Sequence, residues 1–529
     1  MNPKIIRAIY LLAVTVAAGR FFTLGVHGFL NVPIQNWGQI NGWKNFFVSL
    51  LAYGACAGAA FVVFEKRKSS LSVSSFFVIF LFGFYFLQLI NVFGFHFNET
   101  VFLKICFLAM IASAVWIARG GMTLGYTKKK MQAEEILTGL ITALWLIASL
   151  FYLFEYNLSE FRQPYSDEVT LWYTAAHNIL RQSAAFAHQV NYPGGGHPLG
   201  VPFIAALPGQ IFQGADPATI FFLPLVVIIS LAAFLWRLRQ QKWIFFFFTL
   251  ALFSSFNQRE WAGDLMYRLV YAAGISTVLF LLIVHELYKL SEKKQDGPIW
   301  GVAVLSGLAA LSQSVFVLMI PVFGILVIAA CGNTHSRGGK FSTPGPACHR
   351  PWRDPAKSGD RQAGWGKGIL FLIAAGLPYG VWKAVIAMPQ GQSHDMVLMG
   401  RHLQENIFNP RWGVLGDIFQ YGAEQAEGLH YFFILSILLI LISRDRKIIL
   451  TASAVFAFVG FIICFIKRKG RYLFFLVWFF AIVILGGTIT IDAPSSQRLV
   501  GLIPVLFLFA GVALEQMMKY KTYYLKIIF

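Results

Sequence analysis

Long apolar runs separated by short basic clusters dominate the chain. They sit near residues 8–30, 45–64, 74–96, 100–118 and 136–156, then near 217–236, 243–256, 265–284, 298–312, 313–331 and 368–388. A last group lies at 429–443, 448–466, 471–488 and 499–515. A bilayer's hydrocarbon core is about 30 Å thick and takes roughly 20 apolar residues per helical crossing. The pattern predicts an all-α fold, a polytopic transmembrane bundle of about 12–14 helices. It divides into N-terminal membrane helices (1–156), a polar exoplasmic loop with juxtamembrane helices (157–216), core helices (217–331), a basic loop (332–367) and C-terminal helices (368–529) that include a second outer loop, 389–428.

Composition sharpens this. Apolar residues make up 57% of the 529 and charged residues 13%, about half the roughly 25% of soluble domains. A water-soluble globule and a disordered chain are both excluded. The 43 basic against 24 acidic residues leave a charge of +19, but the basic residues sit in turns between apolar runs, as topogenic signals do. No basic patch is interleaved with aromatics, so nucleic acid is not an expected partner.

Placing Lys66-Arg67-Lys68, Lys128-Lys129-Lys130, Arg237, Arg239 and Lys242, and Lys289, Lys293 and Lys294 in the cytoplasm puts 157–200 and Asn257 to Asp264 outside. The 332–367 loop, with seven Lys or Arg against two Asp, belongs inside. Beyond residue 428 the parity is open. Arg444, Arg446 and Lys447 and the cluster Lys467, Arg468, Lys469 and Arg471 both favour the inside. Either one cluster is exoplasmic and binds anions, or 448–466 is re-entrant. The five cysteines form no disulfide framework, and Cys331, His335, Cys348 and His349 fit no common zinc spacing.

Candidate chemistry gathers in the outer stretches. A helix is expected after Ser166, a good N-cap, with Asp167 and Glu168 in its first turn. Val169, Trp172, Tyr173, Ala176, Ile179 and Leu180 make its apolar stripe, so it should lie along the membrane surface. The acidic pair reads as a capped helix start or as a general base at the membrane boundary. A glycine-rich turn holding Tyr192 and His197 leads to a second helix with Pro198 in its first turn. Here an anchoring helix and a substrate contact stand side by side. Further on, Arg259, Glu260, Asp264 and Arg268 gather at the lip of a membrane helix, where charges are costly. Arg498 opens the last apolar run, and if exoplasmic its guanidinium could grip a phosphate.

In order and shared location these segments resemble the glycosyltransferase C superfamily, which includes protein O-mannosyltransferases and the transferases that add aminoarabinose to lipid A. The resemblance rests on the acidic pair Asp167-Glu168, "HPLGVPFIAAL" at 197–207, "GDLMYRLVYAAG" at 263–274, "GLAAL" at 307–311 and "SSQRLVGLIP" at 495–504. It implies an inverting transfer of sugar from a polyprenyl-phosphate carrier to a lipid, glycan or protein acceptor, at the exoplasmic face of a bacterial inner membrane. Asp167 would be the base, with Glu168 beside it. Arg498, Arg268 or Arg259 would steady the departing phosphate. Tyr192, His197, Glu260 and Asp264 would orient substrates or a divalent ion, which family members use in some cases and not in others. Two rivals remain at this level. A flippase or exporter of lipid-linked glycans would place charge at the membrane midplane. An O-antigen ligase or polymerase would rely on basic loop residues such as Arg401, His402 and Arg411.

Overall fold

A computed structural model describes residues 42–67, 71–90, 174–182, 199–212, 217–238, 272–293, 299–312, 315–332, 356–384, 453–467 and 471–484, with isolated helical positions at 104–115, 143–150 and 505–516. Among the described residues every element is a helix and none is a strand. The helices are α1 (Gly42–Arg67), α2 (Val73–Ile90), α3 (Thr174–Gln182), α4 (Gly200–Ile211), α5 (Pro224–Leu238), α6 (Ala272–Lys293), α7 (Ile299–Ala310), α8 (Val315–Gly332), α9 (Ala356–Trp382), α10 (Ser453–Lys467) and α11 (Arg471–Ala481), with a short 3-10 turn at Pro217–Phe222. Within α1, Lys44–Val63 is the one stretch among the described residues long and apolar enough to cross a membrane, and the other apolar helices are shorter.

The polypeptide closes α1 and α2 into one hairpin and α7 and α8 into another. α9 packs along both α7 and α8. Gly324 of α8 meets Leu372 of α9, and Gly368 of α9 meets Ile328 of α8, so these two helices run antiparallel through small-residue contacts. Gly307 of α7 lies where a Cβ would come 2.7 Å from the Ala375 carbonyl and 2.8 Å from the Pro378 ring, which makes glycine the residue that lets α7 approach α9. α10 and α11 form a further hairpin that reaches α8 and α6 through α11. It is stitched by a phenylalanine cluster in which Phe461 lies 5.4 Å from Phe479 and 5.5 Å from Phe509, ring centre to ring centre.

Four expected boundaries move. The run at 217–236 is broken: the 3-10 turn ends at Leu223, and α5 starts at Pro224, whose missing N–H costs nothing at a first helical position. The helix expected to hold Pro198 in its first turn begins instead at Gly200, which brings Pro202 into the first turn. α9 reaches back to Ala356, immediately after Pro355, so part of the expected 332–367 loop is helical. α6 also outruns its expected end at 284 and continues to Lys293, because a buried glutamate on its last turns has partners.

Among the described residues several outward helix faces are apolar. Trp365, Ile369, Ile373 and Leu377 recur every fourth residue of α9 and are between 53% and 62% exposed. Phe458, Ile462 and Ile466 repeat the pattern on α10, and Trp300 with Val304 on α7.

Candidate functional site

The residues singled out as a site are Asp167, Glu168, Tyr192, His197, Arg259, Glu260, Asp264, Arg268 and Arg498, and all lie outside the described residues. What the structure brings together is the frame from which their segments depart, and it has two ends.

At one end, the turn after α1 presents Ser72 and Ser75 to Glu286 of α6. Ser72 caps α2: its Oγ accepts a hydrogen bond from the Ser75 N–H at 3.2 Å and lies 2.8 Å from the Ser75 hydroxyl. One oxygen of Glu286 accepts from the Ser72 N–H at 2.7 Å and from the Ser75 hydroxyl at 3.0 Å. The other accepts from the Lys289 ammonium at 2.7 Å, one turn along α6. Glu286 is wholly buried and Lys289 nearly so. A buried carboxylate is tolerated when it is paired and hydrogen-bonded, and here a cation and a capped helix start supply the donors. Phe234 of α5 stands edge-on to His285, 5.1 Å away, and Gly301 of α7 packs directly on Leu71. α5 and α6 therefore run toward this end, while α2 and α7 begin at it.

About 15–20 Å along α2 and α7, a second meeting point holds the start of α4. Tyr85 of α2 accepts a hydrogen bond from the Leu199 N–H at 3.3 Å. The Gly200 N–H donates to the carbonyl of Leu311, in the α7–α8 turn, at 3.2 Å. A Cβ at Gly200 would lie 2.5 Å from that carbonyl oxygen and 2.9 Å from the Phe82 ring, so the close approach requires glycine. From there α4 is buried along almost its whole length, from Gly200 to Gly209 and at Ile211. Tyr53 of α1 donates to the Ile204 carbonyl at 2.9 Å, and Tyr85 packs its ring 5.4 Å from that of Phe203. The opening of α4 costs no internal bonds, since the first N–H groups of a helix have no intrahelical partner and Pro202 has none to lose. α3, which like α4 falls within the expected 157–216 loop, lies against α4 with Leu180 on Gly209. Ala175, Ala176 and Ile179 are buried there.

The frame thus joins two of the expected segments, "HPLGVPFIAAL" and "GLAAL", through the Gly200–Leu311 bond. It also reveals groups that sequence reasoning passed over: Glu286, Ser72, Ser75 and Tyr85. The signal for Glu286 was present, since Glu286 and Lys289 form an (i, i+3) pair among Ile283, Leu287 and Leu290, where an unpartnered charge would not fit. Among the described residues no three His, Cys, Asp or Glu side chains come together as a metal site. No protein-family model, curated protein or solved structure matches the chain.

Proposed function

We propose that the protein is a multi-pass membrane glycosyltransferase that moves a sugar from a polyprenyl-phosphate carrier to an acceptor at the exoplasmic face, with inversion. The membrane part is supported by the outward apolar stripes of α1, α7, α9 and α10, which water would penalise and lipid would not. Short helices such as α7, about 18 Å long, then lie within the membrane as part of the bundle rather than crossing singly. Orientation follows from charge: α1, α5 and α6 all finish at the Glu286 end, with Arg67, Arg237 and Lys293 in their last turns. The positive-inside rule assigns that end to the cytoplasm and the Gly200 end to the exoplasm.

The single observation that carries the catalytic reading is the burial of α4. The "HPLGVPFIAAL" segment is built into the bundle, with Leu199, two residues after His197 in the chain, fixed at the Gly200 end by Tyr85 and the α7–α8 turn. A mere surface linker would need neither contact. In this reading Asp167 removes the acceptor proton as the acceptor oxygen attacks the anomeric carbon, and the lipid phosphate leaves from the opposite face of the sugar. Arg268, Arg259 or Arg498 offsets the charge that develops on the phosphate. Tyr192, His197, Glu168, Glu260 and Asp264 orient the sugar and acceptor.

The test is sugar transfer from a radiolabelled polyprenyl-phosphate donor in membranes carrying Asp167→Asn. Loss of a general base lowers the rate by about 10²–10⁴-fold. Undiminished transfer would remove Asp167 from the mechanism.

A further inference from the structure

The α10–α11 hairpin leaves an open apolar groove of about 410 Å³ against α8, lined by Val322 of α8, Phe465 of α10, and Leu473, Leu476, Val477 and Phe480 of α11. Clefts that take ligands typically hold about 300–1,000 Å³. Phe465, Leu473 and Phe480 are each more than 40% exposed, so the groove is part of the outward surface. Positive charge comes near it through Tyr472, which shares a face of α11 with Leu476 four residues on. Lys467, two residues after Phe465, is exposed and holds its ammonium 5.1 Å from the centre of the Tyr472 ring. Tyr472 precedes Leu473 and accepts a 3.2 Å hydrogen bond from Gln516 on its hydroxyl, which fixes the ring on which the ammonium rests. The same turn carries Arg468, Lys469 and Arg471 in sequence, and no Asp or Glu occurs between Asp445 and Asp492 to offset them.

We propose that this groove, with Lys467 at its edge, binds one anionic phospholipid, an acyl chain lying along Leu476 and Val477 and the phosphate meeting the ammonium. The proposal rests on the membrane reading above but not on glycosyl transfer. A peptide would bring backbone N–H and C=O groups into a lining that offers them few partners. A phospholipid brings an apolar chain and one negative charge, which is the pairing this site presents. The topogenic role of basic residues calls for no groove beside them, and ordinary contact with bulk lipid calls for no charge.

The experiment reconstitutes the full chain in bilayers of equimolar phosphatidylglycerol and phosphatidylcholine, recovers it in mild detergent and measures retained lipid by native mass spectrometry. Phosphatidylglycerol should be retained in excess. Lys467→Glu should cut that excess by about fivefold or more, the effect of one basic residue near an anionic head group, while Lys467→Arg should keep it. Val477→Trp, which fills the groove, should cut it comparably. If that variant is not monodisperse, Leu473→Gln, at an exposed position, takes its place. Equal retention of the two lipids, or an excess that survives either the charge reversal or the groove substitution, would overturn the site. A chain that alkaline carbonate strips from the membrane fraction would instead refute the membrane reading itself, and the two failures are thereby told apart.

Discussion

The two ends of the bundle are held by different chemistry. At the Glu286 end a buried carboxylate gathers an ammonium, a hydroxyl and a capping N–H within 2.7–3.0 Å. At the Gly200 end the described contacts are neutral: a phenol accepting from one backbone N–H and a carbonyl accepting from the next, at 3.3 and 3.2 Å. The first arrangement fixes where α2 begins relative to α6 and gives both oxygens of the carboxylate a donor. The second fixes where a chain segment enters the bundle while spending no charged side chain on doing so. In the proposed orientation the charged clamp sits beside the cytoplasmic basic turns, and the neutral clamp supports the exoplasmic loops whose own charges are then free for substrate.

Substitutions can break this contrast in graded steps. The largest effect is expected at Glu286: Glu286→Ala removes from a buried site the carboxylate that accepts from Lys289, Ser75 and the Ser72 N–H, and should cost about 3–5 kcal/mol, read as a lowered thermal or denaturant midpoint in detergent. Glu286→Ala combined with Lys289→Ala should cost much less than the sum of the two single changes, since the pair acts as one unit. Gly200→Ala comes next. Its methyl meets a backbone carbonyl that cannot easily retreat, so about 1–3 kcal/mol is expected. Transfer activity should fall with it while membrane insertion is unchanged. Ser75→Ala removes one neutral donor from a charged acceptor, and about 1.5 kcal/mol is the expected loss of stability. Tyr85→Phe is the mildest, at about 0.5–1 kcal/mol, because a single long hydrogen bond is lost and the ring keeps its place against Phe203. Should Tyr85→Phe prove as damaging as Glu286→Ala, the distinction between the ends would fail.

The helical elements were legible in the sequence wherever an apolar run was closed by basic or turn residues. α1 ends in Lys66-Arg67, α10 and α11 meet at Lys467 to Arg471, and the α7–α8 hairpin falls within a residue or two of its expected limits. Prolines misled the reading because their effect depends on register. Pro198 and Pro202 both suit a first turn, and only the close approach at Gly200 decides between them. Pro224 looks like an interior residue until the preceding 3-10 turn makes it a start. Long-range partners were not legible at all: nothing local to Ser72 announces a glutamate more than two hundred residues away, or to Tyr85 the N–H of Leu199. For the candidate site the legible part is the anchoring of one expected segment, because the structure describes residues 199–212 of it and not the carboxylates themselves.

In the proposed orientation the Glu286 and Gly200 ends face opposite sides of a membrane. Single cysteines in a cysteine-free background, at Asp167→Cys for one side and Lys68→Cys for the other, test it directly with a membrane-impermeant maleimide on intact cells. Rapid labelling is expected at position 167, and labelling at position 68 only after permeabilisation. Labelling of both positions in intact cells, or of position 68 alone, would contradict it.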